Sequence, residues 1–193
     1  MEIVLMRHGE PEFSAQQGSA RVKATQMPGW IAGYDASGIT GEPDCHAVLA
    51  DKRHAFVISS PLPRARASLQ AVNLTPDLIA DDLREAPLPV FNLPFLRLSP
   101  QTWLVLFRLC WLSGALAGPE SKKQTMQRAE KMAHMLIAQA QQHERVISMG
   151  HGVINRLIAR ELEKAGWVKS AHTGNGYWSS VTFTAAGCDT PAA

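Results

Sequence analysis

Arg7 and His8 stand side by side, followed at once by Gly9 and Glu10, directly behind the apolar run "EIVLM" at the start of the chain. Open α/β sheets bind ligands beyond the carboxyl ends of their strands, and a cation next to an imidazole at such an end has the residue types for it. Two more stretches repeat the form. "AFVISS" runs into "PLPRARAS", which carries Arg64, and "ERVISM" runs into "GHG", which carries His151. One such strand end alone reads equally well as surface decoration. Three of them delivering Arg7, His8, Arg64 and His151 to one rim call for a common purpose.

The chemistry that suits this group is narrow. Two arginines offer planar forks of donors matched to a tetrahedral oxyanion, and they stay charged at any working pH. A neutral imidazole is a competent nucleophile toward phosphorus. A second imidazole can donate to the oxyanion and share its growing charge. Gly9 and Gly152 leave room for backbone to approach a ligand. The missing part is a proton donor for a leaving group, and "DDLREAP" supplies Glu85 on a polar loop. Glu10 and Glu12 compete for that role, yet a carboxylate adjacent in sequence to the nucleophile rarely reaches the leaving group opposite the attacking atom. Arg66 is the alternative to Arg64 if the turn is shifted; the register from Ser60 and Leu62 favours Arg64.

The elements that must hold these residues follow from apolar spacing. "EIVLM", "AFVISS" and "ERVISM" read as buried strands, Leu78–Ala80 as a short one, and "YWSSVTFT" as the last. "SPLPRARASLQAV" is a loop leading into a helix. The clearest helix runs from Ser121, its cap, to about His143, with Met126, Ala129, Ala133, Leu136, Ile137 and Ala140 at helical spacing. "VINRLIARELEKAG" is a helix closed by Gly166. Strands alternating with helices predict an α/β fold: a single-domain three-layer α/β/α sandwich over residues 1–193 with a mostly parallel central sheet. Segments around 12–50 and 88–120 read as lid or insert, the first polar and glycine-dotted with Trp30, Ile31 and Tyr34 as apolar anchors.

One segment resists this scheme. Leu98–Gly118 is mostly apolar and approaches the roughly 20 residues a membrane span needs. Pro100, Gln101 and the central Arg108 oppose that reading, since a central arginine costs about 2.5–3.5 kcal/mol on insertion. A buried or interface helix is expected instead. Trp103, Phe107 and Trp111 stand four apart and share one helix face, either core or a ridge for a homodimer contact.

The remaining composition excludes several classes. At 46% hydrophobic and 19% charged, the 193 residues suit one globular domain. A net charge of +2 is too small to imply a nucleic-acid surface. Cys45, Cys110 and Cys188 are odd in number and widely spaced, which points to neither a disulfide framework nor a zinc site. No basic stretch followed by a long apolar one opens the chain, so the cytoplasm is the expected location. His46, His54, His134, His143 and His172 read as solvated surface histidines.

Four stretches together resemble the histidine phosphatase superfamily, the phosphoglycerate mutase-like proteins. "LMRHGE" looks like its signature, "SSPLPRARAS" its second motif with Arg64 on the arginine, "LREA" its acid motif with Glu85 on the acid, and "ISMGHGVINRLI" its final motif with His151 on the histidine. The resemblance implies that His8 is the nucleophile and becomes a phosphohistidine. It implies that Arg7, Arg64 and His151 hold the phosphoryl group, and that Glu85 protonates the leaving oxygen and then activates water. No metal and no cofactor is implied; the partner is a small phosphorylated substrate. The sequence departs from the family where relatives cover the substrate: Pro11, Glu12, Phe13 and Ser14 follow "RHGE", and "PLPVFNLP" follows the acid. The expected function is therefore a metal-independent phosphatase. Mutase-type phosphoryl transfer and a non-catalytic phosphate-binding protein on the same fold are the alternatives.

Overall fold

The first apolar run forms strand β1 (Glu2–Arg7), and its alternating residues face two different cores. Ile3 and Leu5 pack on one side of the sheet, Val4 and Met6 on the other. A strand covered on both faces must be apolar throughout, which is why "EIVLM" has no polar alternation. The structure is a computed structural model that describes residues 1–16, 20–41, 43, 55–93, 95–114 and 118–186. Cys45, Cys188, His46 and His54 lie outside the described residues.

Five more strands complete the sheet: β2 (Phe56–Ser59), β3 (Leu78–Ile79), β4 (Arg145–Gly150), β5 (Trp167–His172) and β6 (Ser180–Ala185). Their order is β3-β2-β4-β1-β6-β5. The first four run parallel, while β6 pairs antiparallel with both β1 and β5. The mostly parallel sheet expected from the sequence is present, with β5 as an unforeseen addition. Only Trp167 of β5 is buried, and the other five residues of this edge strand, Val168 and Ala171 among them, are exposed, so no buried apolar period marks it.

Helices cover both faces. On the Ile3–Leu5 side lie α4 (Lys122–His143) and α5 (Gly152–Lys164); on the Val4–Met6 side lies α2 (Pro63–Ala71). Ser121 caps α4 reciprocally with Gln124, as its position predicts. The buried stripe of α4 is Thr125, Ala129, Met132, Ala133, Leu136 and Ala140. Met126 is turned outward instead, because Thr125 takes the buried place one residue earlier. Gly166 takes a positive φ of 85° beyond α5, the left-handed conformation that glycine adopts without a side-chain clash.

A third core stands apart from the sheet. It joins α1 (Met27–Ala36) to α3 (Pro100–Ser113) through Ala24, Met27, Trp30, Trp103 and Phe107. Helix α1 is not expected from the sequence, because Pro28, Gly29 and Gly33 read as breakers. Pro28 sits in the first turn, where its missing N–H is harmless. A side chain at Gly33 would come within 2.7 Å of the Phe13 ring, so glycine lets Phe13 lie flat on the helix.

The resistant segment is thereby explained. Helix α3 has 14 residues, capped by Ser99 and ended by Gly114 in the left-handed conformation. Trp103, Phe107 and Trp111 are all buried within the chain, so the aromatic ridge is core and not a surface ridge. The opposite face leaves Val105, Leu109 and Leu112 exposed. Among the described residues no helix is long and apolar enough to cross a membrane.

Candidate active site

Sheet register brings the charged strand ends together. Arg7 lies opposite Gly150 across the β1–β4 pair, and Ser59 lies opposite Met149 across β2–β4. The next residues out of β1 and β4, His8 and His151, therefore emerge at one level, with Ser60 one step behind them beside Gly150. Backbone contacts hold His8 on both sides: its N–H donates to the Gly150 carbonyl at 3.2 Å, and its own carbonyl accepts from Trp178 at 3.3 Å. The Gly9 N–H donates to Ser68 Oγ at 2.8 Å. A side chain at Gly9 would come within 2.7 Å of the Trp178 ring. Gly9 thus serves packing under Trp178, not ligand approach as its place in the sequence suggested. Gly152 does face the site, with Arg7 Cζ 3.7 Å and Glu85 Oε2 3.9 Å from where a Cβ would stand.

His8 is buried, and its Nδ1 lies 2.7 Å from the Gly9 carbonyl. A carbonyl only accepts, so Nδ1 carries the proton and Nε2 keeps its lone pair. That Nε2 accepts from Arg64 Nε at 3.2 Å. Burial, aided by the Arg64 charge, lowers the His8 pKa to about 3 against a smaller opposing effect of the Gly9 hydrogen bond. His8 is therefore a neutral imidazole, its basic nitrogen held between cations.

His151 caps the start of α5, with its ring centroid 4.9 Å from that of His8. Its Nε2 lies 2.8 Å from Ser60 Oγ. Burial first, then the charge of Arg64, pushes its pKa well below the ordinary histidine value. Its Nδ1 is buried with no hydrogen-bond partner among the described residues, and so is Arg7 Nε. Two orphaned polar atoms in one site are unusual, because buried polar groups are nearly always paired. A bound oxyanion would satisfy both.

Arg64 sits in the first turn of α2 and is buried, whereas Arg66 is exposed. The structure thus places Arg64, not Arg66, beside His8. Arg64 lies over the Tyr34 ring at 4.8 Å, and Arg7 lies over the Tyr177 ring at 4.5 Å. Burial first, then the neighbouring Tyr177, pushes the Tyr34 phenol above its ordinary pKa. Arg7 Nη1 donates to the Asn175 carbonyl at 2.9 Å. Each candidate phosphate arginine is thus backed by a tyrosine.

Glu85 approaches from a separate direction. Its Oε1 accepts from Ala86 and Ile154 N–H at 3.0 and 3.2 Å, and its Oε2 accepts from Val153 N–H at 3.1 Å. These donors pin the carboxylate at the N-terminus of α5, where the helix dipole favours negative charge. Its loop is clamped in turn by Arg128, which donates to the Asp82 and Arg84 carbonyls at 2.6 and 2.7 Å and grips Glu120 through Nε and Nη2. Glu10 and Glu12 are exposed. Arg7, Arg64 and Glu85 line one cavity of about 650 Å³, a volume typical of small-molecule sites. His8 and His151 are not among the residues that line it, although Arg64, which does line it, donates to His8 Nε2.

Sequence reasoning missed Tyr34, Asp35, Ser60, Arg108 and Tyr177 as parts of this site. Ser60 and Tyr177 adjoin motifs that were read, and could have been included. Arg108 was seen only as a polar break in an apolar segment. It lines the cavity, donates from Nη2 to the Ala86 carbonyl at 2.9 Å and stacks over Trp111 at 5.0 Å, so α3 reaches the Glu85 loop through it.

Strand ends of a mostly parallel sheet thus gather two arginines and two buried imidazoles beside one cavity of an α/β protein. The model of the histidine phosphatase superfamily (branch 1) matches residues 3–190, and the chain belongs to that family, whose members are phosphatases or mutases. Three solved structures share the fold. A phosphoserine phosphatase from Entamoeba histolytica, in complex with 3-phosphoglyceric acid, is 17% identical with a TM-score of 0.56, covering 95% of this chain and 90% of its own. The protein TTHB049 of Thermus thermophilus is 20% identical with a TM-score of 0.56, covering 94% and 92%. The product of the open reading frame Rv3214 from Mycobacterium tuberculosis is 20% identical with a TM-score of 0.52, covering 81% and 77%. No curated protein matches the chain.

Proposed function

We propose that the chain is a phosphatase that hydrolyses a small phosphorylated substrate through a phosphohistidine on His8. The observation that carries this reading is the state of His8 itself. An imidazole whose Nδ1 is tied to the Gly9 carbonyl, and whose neutral Nε2 faces Arg64 Nε at 3.2 Å, is aimed and unprotonated. Such a nitrogen is ready to attack without a general base.

The steps follow from the positions of the side chains. The phosphoryl oxygens take the donors of Arg64 and Arg7 and meet His151, which frees the His8 lone pair from Arg64 Nε. Nε2 attacks phosphorus, and the bond from phosphorus to the ester oxygen breaks as Glu85 gives that oxygen a proton. Water then attacks the phosphohistidine, its proton goes to the Glu85 carboxylate, and the N–P bond breaks to release inorganic phosphate. The positive charge on the two arginines opposes the oxyanion throughout, so no divalent ion is called for.

The test is turnover of 4-nitrophenyl phosphate with and without EDTA, combined with trapping of the labelled enzyme. Hydrolysis that persists in chelator, with an alkali-stable, acid-labile label on the peptide containing His8, is the expected result. Label on the His151 peptide, or a strict need for a divalent ion, would refute the mechanism.

A further inference from the structure

The Arg64 guanidinium has two usable edges, and the structure divides them. Nε faces His8 Nε2 at 3.2 Å, and Nη2 has no hydrogen-bond partner among the described residues. These two nitrogens form the side-on edge that accepts an oxyanion in bidentate fashion. Nη1 points the other way, donating to Asp35 Oδ1 at 2.8 Å and to the Tyr34 carbonyl at 3.4 Å. Both acceptors belong to the last turn of α1.

We propose that Asp35 is a positioning residue for phosphoryl binding: it holds the far corner of Arg64 so that the Nε–Nη2 edge faces His8 and the incoming phosphoryl group. The geometry separates this role from a competing one. An acid that mimicked substrate would occupy the Nε–Nη2 edge and would leave when phosphate arrived. Asp35 occupies Nη1, so it stays in place while the other edge exchanges His8 for an oxyanion.

The surroundings of Asp35 support the assignment. The Tyr34 ring lies under the same guanidinium and stacks on Trp30 at 5.4 Å. Trp30 belongs to the core that Trp103 and Phe107 of α3 complete. Asp35 is thus carried by a helix end that is anchored from below, although its own side chain is 46% exposed. Without it, a buried guanidinium would keep His8 and the Tyr34 carbonyl but lose its only acidic partner among the described residues, and its plane would be free to turn.

The inference rests on the phosphatase reading for its activity arm, and the experiment keeps the two apart. Asp35→Asn and Asp35→Ala remove the same charge, but asparagine retains an acceptor oxygen for Nη1. The difference between them therefore reads aim alone. Each is measured for kcat and KM on 4-nitrophenyl phosphate, for inorganic phosphate binding by calorimetry, and for Tm. The expected result is that kcat of the alanine variant falls at least about tenfold below that of the asparagine variant, with a similar gap in phosphate affinity and Tm values within about 2 °C. Equal values for the two variants would overturn the proposal. So would a rise in kcat/KM for both, the signature of a displaced competitor, or a loss of activity that simply followed a loss of stability. If the unsubstituted protein turns over no phosphomonoester, the phosphatase reading fails, and the phosphate-binding arm still decides the role of Asp35.

Discussion

The two sides of the cavity are built by different means. The inner side, with Arg7, His8, Arg64 and His151, grows from strand ends and helix starts of the main sheet, and backbone hydrogen bonds set its residues to within one register step. The outer side, with Tyr34, Asp35 and Arg108, hangs on helices α1 and α3 and their separate aromatic core, and the Glu85 loop, held by α4 and α5, joins it to the inner side. An inner residue is placed by sheet geometry that every strand shares. An outer residue is placed by one or two side-chain contacts, and losing either moves it. The contrast teaches that the two walls of one cavity rest on separate foundations in this molecule.

The largest expected effect lies on the inner side. His8→Ala should remove turnover by on the order of 10³-fold or more and abolish the phosphoenzyme, while the fold persists because the sheet needs no side chain there. Circular dichroism with a trapping assay checks both halves of that statement. An unfolded variant would show that inner residues are structural as well.

Trp103→Ala addresses the outer side and should behave in the opposite way. Removing a fully buried indole that stacks on Phe107 and donates to the Val22 carbonyl at 2.9 Å should cost about 3–5 kcal/mol of stability. Urea unfolding measures this. Retention of wild-type stability would mean that the α1–α3 core carries nothing.

Glu85→Gln sharpens the comparison, since its loop joins the two sides. The loss should be about 10²-fold for an alkyl phosphate, whose leaving oxygen needs a proton, and only a few-fold for 4-nitrophenyl phosphate, whose leaving group does not. Steady-state rates on the two substrates decide it: equal losses would remove Glu85 from the role of acid.

The smallest effect is in pH dependence. His8 is held near pKa 3, below its unfolded value of 6.5, so between those values the unfolded chain binds more protons and stability rises with pH. The contribution of this group to the slope vanishes above pH 6.5. His8→Asn should flatten the rise in urea midpoint between about pH 4 and 6.5. An unchanged profile would mean that the imidazole is not held neutral by its site.

Legibility in the sequence followed the same division. The four inner residues and Glu85 could be read because each lies within a few residues of a strand or helix boundary with its own local pattern. Arg64 was separable from Arg66 only by counting from Ser60, and the structure agrees by burying one and exposing the other. The outer residues left no such trace. Asp35 reaches Arg64 across 29 positions, and Trp103 reaches Val22 across 81. Edge strand β5 was invisible because five of its six residues face water.

By itself, then, the sequence determined the strands that alternate with helices, the cap at Ser121, the turn at Gly166, and the charged groups at three strand ends. These are local matters, set by side-chain period, capping chemistry and backbone conformation over a handful of residues. Tertiary structure alone decided that register would level Arg7 with Gly150, that a proline- and glycine-broken stretch would become α1, and that the aromatic face of α3 would turn inward. The physical reason is that each of these outcomes depends on burying apolar surface, or satisfying a polar atom, against a partner far along the chain. No window of neighbouring residues contains both members of such a pair.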